Sequence, residues 1–199
     1  MRETSAGRHG KLPPPGCGRP TIIRQLLLMR HAKSSWDDRQ LSDHARPLNA
    51  RGRMAAVLMR KAMADLGLCP NVVLVSSSRR TLQTLGALEP WDATPLIEPM
   101  DALYLAGADA MLAVLNDVAE TVRSVLLLAH NPGMHDLAMQ LAGDTATAPE
   151  DVMTRRLAEG YPTGALAEFT VAGPWATLRP GGARLVRFII PRDLPDMTA

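Results

Sequence analysis

Cysteine is nearly absent. Cys17 and Cys69 are the two in 199 residues, too few and too isolated for a disulfide framework or a zinc site. No run of 18 apolar residues and no signal-peptide h-region occurs, so nothing in the sequence reads as a membrane span or an export signal. The expectation is a soluble chain in a reducing compartment, the cytoplasm. There is no glycine-rich phosphate loop, which argues against dinucleotide and nucleoside triphosphate folds. His130 and His135 stand five residues apart with no cysteine or carboxylate spacing to support them, so neither a metal nor a cofactor is expected. Internal repeats and a second-domain linker are lacking too.

What is present has globular proportions, 46% hydrophobic and 21% charged residues, and a length that suits one domain with a sizeable core. The formal charge of +2 is unevenly spread: residues 1–24 carry +4 and the rest −2. Those first residues are rich in Pro, Gly and Arg, with Pro13-Pro14-Pro15 and Gly16-Cys17-Gly18 at their centre. Too little apolar surface is available there to offset the entropy of ordering, so residues 1–24 are expected to be a disordered tail. A domain over 25–194 and a short tail over 195–199 complete the division. Basicity confined to a tail without aromatics does not suggest a nucleic-acid-binding domain. The tail's Arg8-His9-Gly10 has no strand before it to hold it in place.

The chain is organised around Gln25-Leu26-Leu27-Leu28-Met29-Arg30-His31. A short apolar run without 3.6-residue spacing reads as a buried strand, here ending in an arginine and a histidine. The same event recurs twice. Residues 72–75 open into Ser76-Ser77-Ser78-Arg79-Arg80-Thr81, and residues 125–129 end in His130. Between the strands lie helical patterns. Asn49 is read as the N-cap of a helix whose buried face is Ala55, Leu58, Met59, Ala62 and Leu66, stopped at Gly67, with Met54, Met59 and Met63 as core filler. A second helix runs through Leu88 to Pro90. Asp109 is read as the cap of a third, with Met111, Val114, Leu115, Val118 and Val122 on its face, and Asn131 as the cap of a fourth with Pro132 first. A short strand is expected at 95–97, further strands at 165–171 and 184–190, and a long loop with one helical turn over 143–164. Strands alternating with amphipathic helices predict a three-layer α/β/α sandwich with a mostly parallel central sheet.

In open α/β sheets, ligand-binding groups sit just past the carboxyl ends of strands. Arg30 and His31, Arg80, and His130 all occupy that place. Taken singly, Arg80 reads as a solvated first-turn residue and His130 as a core histidine; together they form an anion pocket. Guanidinium groups match phosphate oxygens bidentately and keep their charge. A neutral imidazole, with a free pKa of about 6.5, is a competent nucleophile near neutrality.

These motifs resemble the histidine phosphatase superfamily, of phosphoglycerate mutase-like fold, and within it the SixA-type phosphohistidine phosphatases. The opening Arg-His motif is matched by Leu28-Met29-Arg30-His31, with Ala32-Lys33-Ser34 where many members have Gly. A serine-led loop ending in Arg-x-x-Gln-Thr is matched from Ser76 through Arg80-Thr81-Leu82-Gln83-Thr84, a register that selects Arg80 over Arg79. The second histidine is matched by Ala129-His130-Asn131-Pro132-Gly133, and the SixA-type Arg-Pro-Leu by Arg46-Pro47-Leu48. The similarity covers roughly residues 25–194. It implies a metal-independent phosphatase in which His31 attacks phosphorus and is transiently phosphorylated. Arg30, Arg46 and Arg80 would then hold phosphoryl oxygens, with His130 as a further donor. Larger members use a carboxylate acid, for which Asp101 is the candidate, followed by Glu98 and Asp37; SixA-type enzymes resemble the case where that acid is reduced or absent. The substrate implied is phosphohistidine on a protein. A small-molecule phosphomonoester is the alternative within enzymes, and a non-catalytic phosphate-binding regulatory module the alternative outside them.

Overall fold

The computed structural model describes residues 23–143 and 151–195. The expectations for residues 1–22, with Arg8-His9-Gly10 and Cys17, for 196–199, and for the part of the long loop at 144–150 lie outside the described residues.

The apolar runs become six strands: β1 (Arg24–Arg30), β2 (Val72–Ser76), β3 (Leu96–Met100), β4 (Ser124–Ala129), β5 (Leu166–Val171) and β6 (Ala183–Ile189). They form one sheet among the described residues, in the order β3-β2-β4-β1-β5-β6. The β3-β2, β2-β4 and β4-β1 pairings are parallel, while β5 runs antiparallel to both β1 and β6. Between them lie α1 (Ala50–Asp65), α2 (Arg79–Ala87), α3 (Ala108–Asn116), α4 (Gly133–Ala142) and α5 (Val152–Glu159).

The central strands are apolar throughout because both of their faces are covered. Leu26 and Leu28, Leu74, and Val125 and Leu127 face a core built with Met111, Leu115, Met134 and Leu137 of α3 and α4. The alternate residues Leu27, Met29, Val73, Val75, Leu126 and Leu128 face Met59, Met63 and Leu85 of α1 and α2. This is the three-layer sandwich expected from the sequence. Each fully buried large aliphatic side chain contributes about 1.5–3 kcal/mol to holding it together.

Several local expectations need correction. Asn49 does cap α1, its side chain accepting from Gly52 N at 2.8 Å. The buried face, however, is Gly52, Ala56, Met59, Ala62 and Met63; Ala55 and Leu58 are half-buried, while Met54 and Leu66 are exposed. Gly52 sets this rotation. A Cβ there would lie 2.1 Å from the Lys33 carbonyl oxygen, so α1 packs directly on the chain just beyond His31. The third helix is capped by Gly107, not Asp109, and ends at Asn116, so Val118 and Val122 reach the core from the turn that follows. The fourth begins at Gly133, with Pro132 at its N-cap and Asn131 outside it. There a Cβ on Gly133 would lie 2.0 Å from the Ala106 carbonyl oxygen. The strand expected at 95–97 continues through Pro99 to Met100, tolerated because β3 is an edge. The loop over 143–164 contains α5, capped by Asp151. Arg24, assigned to the tail, is the first residue of β1; it is buried, and its guanidinium bonds to Glu120 and to the Gly173 carbonyl.

Candidate active site

The parallel registers bring three strand ends together. Arg30 is opposite Ala129, and Leu128 is opposite Val75, so His31, His130 and Ser76 emerge side by side at one sheet edge. The helix α2 ties the surrounding loops to that edge. Thr84 Oγ1 accepts from the Ala32 amide at 3.0 Å, and Gln83 Oε1 accepts from the Leu48 amide at 2.7 Å. The two terminal residues of Arg-x-x-Gln-Thr thus bolt the chain after His31 and the Arg46-Pro47-Leu48 segment onto the helix that carries Arg80.

His31 is 8% exposed, and its Nδ1 lies 2.7 Å from the Ala32 carbonyl oxygen. A carbonyl only accepts, so Nδ1 carries the proton and Nε2 presents a lone pair. Burial pushes the His31 pKa down to about 4, against the pull of the Ala32 carbonyl and with help from the charges of Arg80, Arg30 and Arg46. The His130 ring centroid lies 5.1 Å from that of His31. Arg80 Nη2 donates to His130 Nδ1 at 3.4 Å, which leaves the proton on Nε2, donating to Ser76 Oγ at 2.7 Å. Burial, then His31 and Arg80, push His130 down to about 3. Both imidazoles are therefore neutral at pH 7.

Arg80 is 3% exposed while Arg79 faces solvent, so the buried arginine is the one that the motif register selects. Its Nη1 donates to the Asp43 carbonyl at 2.5 Å and its Nη2 to Asp43 Oδ2 at 2.9 Å. Arg46 Nη1 donates to Asp43 Oδ1 at 2.8 Å, and the Tyr104 hydroxyl to Oδ2 at 2.8 Å. Partial burial would raise the Asp43 pKa, but the bonds from Tyr104, Arg80 and Arg46 and the charge of Arg80 hold it at about 2. Tyr104 is held above its ordinary value by burial and by Asp43. The other nitrogens of Arg46 are engaged as well, Nε with the Ser35 carbonyl and Nη2 with Ser34 Oγ, and the guanidinium stacks 3.1 Å from the centroid of the Trp36 ring. Arg30 donates through Nη1 to the Tyr161 carbonyl at 2.8 Å, and its Nε is buried without a partner. Burial lowers its pKa.

Arg30, His31, Arg46, Arg80 and His130 thus stand in one cluster of three guanidinium groups against one carboxylate. The expected acid candidates stand outside its hydrogen bonds. Asp101 is exposed at the start of a 3-10 turn, Asp37 bonds within its own loop to Ser35, and Glu98 is exposed on β3 beside Val114 and Asp117. The turn that opens with Asp101 delivers Tyr104 to the cluster instead. Sequence reasoning missed Asp43, Tyr104 and Ser76. For Ser76 the available signal was its place at the head of the serine-led loop, whereas Asp43, three residues before Arg46-Pro47-Leu48, carries no local signature. Among the described residues, no three His, Cys, Asp or Glu side chains converge as a metal-binding group. The arrangement is suited to binding a phosphoryl group and presenting a neutral imidazole nitrogen to it.

Comparison with known proteins gives the cluster a context. The sequence profile of the histidine phosphatase superfamily (branch 1) matches residues 26–100. An uncharacterized Mycobacterium tuberculosis protein is 36% identical over 165 residues, covering 82% of this chain and all of the relative. Among solved structures, a protein assigned as the phosphohistidine phosphatase SixA from Nakamurella multipartitia superposes with a TM-score of 0.76 at 28% identity, covering 87% of this chain and 99% of that one. A second protein so assigned, from Agrobacterium tumefaciens, gives 0.70 at 28% identity over 84% and 98%.

Proposed function

The chain belongs to branch 1 of the histidine phosphatase superfamily, and on that premise we propose that it hydrolyses phosphohistidine on proteins, with His31 as the nucleophile. In the first step His31 Nε2 attacks phosphorus, the bond from phosphorus to the substrate nitrogen breaks, and the imidazole leaves with the electron pair. In the second, water attacks the phosphorylated His31, releasing inorganic phosphate and the neutral ring. The Ala32 carbonyl holds the Nδ1 proton throughout, which stabilises the cationic phosphoimidazole formed between the steps. Arg30 and Arg80 hold the phosphoryl oxygens, while Arg46 adds charge and fixes the loop. Such positioning and charge stabilisation supply most of the catalysis of phosphoryl transfer. His130 donates to the same oxygens once its tautomer shifts. The Ser76 hydroxyl can turn to donate to Nε2, freeing Nδ1 to carry the proton toward phosphate.

The observation that carries the substrate reading is the hydrogen bonding of the cluster's carboxylate, which accepts from Arg46, Arg80 and Tyr104. The carboxylate bonded into it, Asp43, has a pKa of about 2 and is ionised at neutrality, and both histidines are neutral. None of them is a ready proton donor for an alkoxide leaving group. A phosphohistidine needs none from the enzyme, because its second ring nitrogen can carry the proton that makes imidazole a good leaving group.

The test is phosphate release from a histidine-phosphorylated protein run beside an alkyl phosphate, with wild type and His31→Ala compared and an acid-labile phosphoenzyme trapped. Turnover and intermediate are expected to favour the phosphohistidine and to vanish together in the variant. Activity surviving in His31→Ala overturns the nucleophile, and an alkyl phosphate turned over equally well overturns the substrate reading. Binding of phosphate with turnover of neither would favour the non-catalytic module.

A further inference from the structure

We infer that an acidic segment of the protein substrate docks in a basic trough beside the phosphate site, a surface that rests on the phosphatase reading above. Two cavities of about 550 and 510 Å³ adjoin there, sharing Pro162, Ile190 and Arg192 in their walls. Each lies within the size range, about 300–1,000 Å³, of sites that bury a ligand. The trough starts at the reacting centre. Arg30 and Asn131 line the second cavity, and the first begins at Lys33, two residues past His31. The wall at Pro162 and Thr163 is pinned to the same strand end, because the amide of the next residue, Gly164, donates to the Arg30 and His31 carbonyls at 3.1 and 3.0 Å.

Its chemistry is one-sided. Lys33, Arg51 and Arg192 line the first cavity with no acidic residue among the lining, and Arg156 in the second is offset by Glu159. Arg156 and Arg192 lie against Asp193, whereas Lys33 and Arg51 make no ion pair among the described residues. In the same cavity lining stands Met54, expected as core filler and 65% exposed here. An adaptable apolar side chain sharing a cavity lining with unpaired cations is suited to a peptide that combines carboxylates with an apolar contact. The chain's own N-terminal segment is not that peptide: with Arg24 paired in β1, residues 1–22 carry Arg2, Arg8, Lys11 and Arg19 against Glu3, a net of +3 and the wrong sign for a basic surface. Two copies of this face repel each other for the same reason. The charge complement is an acidic segment on the protein that carries the phosphohistidine.

The experiment uses two synthetic phosphohistidine peptides of equal length, one flanked by Glu and Asp and one by Lys, with phosphoramidate as a substrate too small to reach the trough. Wild type should show a KM roughly tenfold lower for the acidic peptide, and the preference should fade as salt approaches about 0.5 M. Lys33→Glu/Arg51→Glu should abolish or invert that preference and leave phosphoramidate turnover unchanged. Met54→Ala should weaken both peptides about two- to fivefold. Equal KM values in wild type, or a preference intact in the double variant, overturn the docking surface. Fluorescence anisotropy with the unphosphorylated peptides separates this inference from the one beneath it. If no phosphorylated compound turns over, selective binding of the acidic peptide that is lost in the double variant still supports the trough. Binding of neither peptide, or of a small dianion such as succinate in place of the acidic peptide, overturns it.

Discussion

Acidification from pH 7 toward pH 4 should destabilise this fold through His31 and His130. In the unfolded chain both titrate near 6.5, whereas in the fold burial and neighbouring guanidinium groups hold them at about 4 and about 3. Above pH 6.5 each is neutral in both states and contributes nothing. Below it, the unfolded chain binds protons that the native state refuses, so stability falls as pH falls, at a limiting slope of about 1.4 kcal/mol per pH unit for each histidine. Two histidines acting together remove about 3–5 kcal/mol between pH 6.5 and 4.5, a large share of the roughly 5–15 kcal/mol that such a domain has. Asp43 does not confuse this window, because its effect sets in only below its unfolded value of 3.8. Urea midpoints measured at half-unit pH intervals give the slope, and His31→Asn, which removes one of the two titrations, should roughly halve it. With His31 as the nucleophile proposed above, the same depression should move the acid limb of kcat/KM to about pH 4, since the ring stays neutral down to there. A stability profile flat between pH 6.5 and 4.5, or imidazole resonances of the two rings titrating near 6.5, would refute the reasoning.

Asp43→Asn keeps the shape of the carboxylate and removes its charge. With the side chain 43% exposed, screening limits the stability loss at pH 7 to about 1 kcal/mol. Because the folded pKa is depressed, that contribution is full above about 3.8 and disappears as pH falls through about 2, so wild type and variant should converge at the acid end. Steady-state kinetics should show kcat down about tenfold with KM little changed, as Arg80 loses its tether; a wild-type kcat would remove Asp43 from the machinery. Gly52→Ala forces a Cβ to 2.1 Å from the Lys33 carbonyl and should lower stability by at least about 2 kcal/mol in a thermal melt. Gly86→Ala, with nothing within 4 Å, should be neutral or stabilising by comparison. Tyr161→Phe removes a hydroxyl that donates to the Leu28 carbonyl at 2.6 Å and accepts from the Ala167 amide at 2.9 Å. Those two residues face each other across β1 and β5, so a buried donor and acceptor are orphaned together, at a cost of about 2–3 kcal/mol read from denaturant unfolding.

The strand ends were legible in the sequence because burial on both faces demands uninterrupted apolar residues, and a polar residue at the end of such a run stands out. Arg30, His31 and His130 announce themselves that way. Arg80 needed its motif register, since Arg79 beside it has the same chemistry and only the helical turn decides which one points inward. The α1 face shifted because hydrophobic spacing cannot register that Gly52 brings the backbone against Lys33, leaving Ala55 and Leu58 half-buried and turning Leu66 and the expected filler Met54 out, while Met63 is buried as expected. The α5 helix was expected only as a single turn because it buries only Thr154 and Leu157 and so carries little apolar period.

Asp43 was hidden for a different reason. A carboxylate in a loop of Asp, Ser, His and Arg has no local signature, and its meaning lies in Arg80, 37 residues away. Asp101, the acid expected from the sequence, is exposed, and its turn presents Tyr104 to the site instead. The two facts belong together. The carboxylate that reaches the cluster is locked in its ionised form by two arginines and a tyrosine hydroxyl, so what resembles a vacancy for a general acid is filled by a group that fixes the arginines. On the function proposed above, a site built in this way would leave protonation to the leaving group and favour substrates that carry the proton themselves.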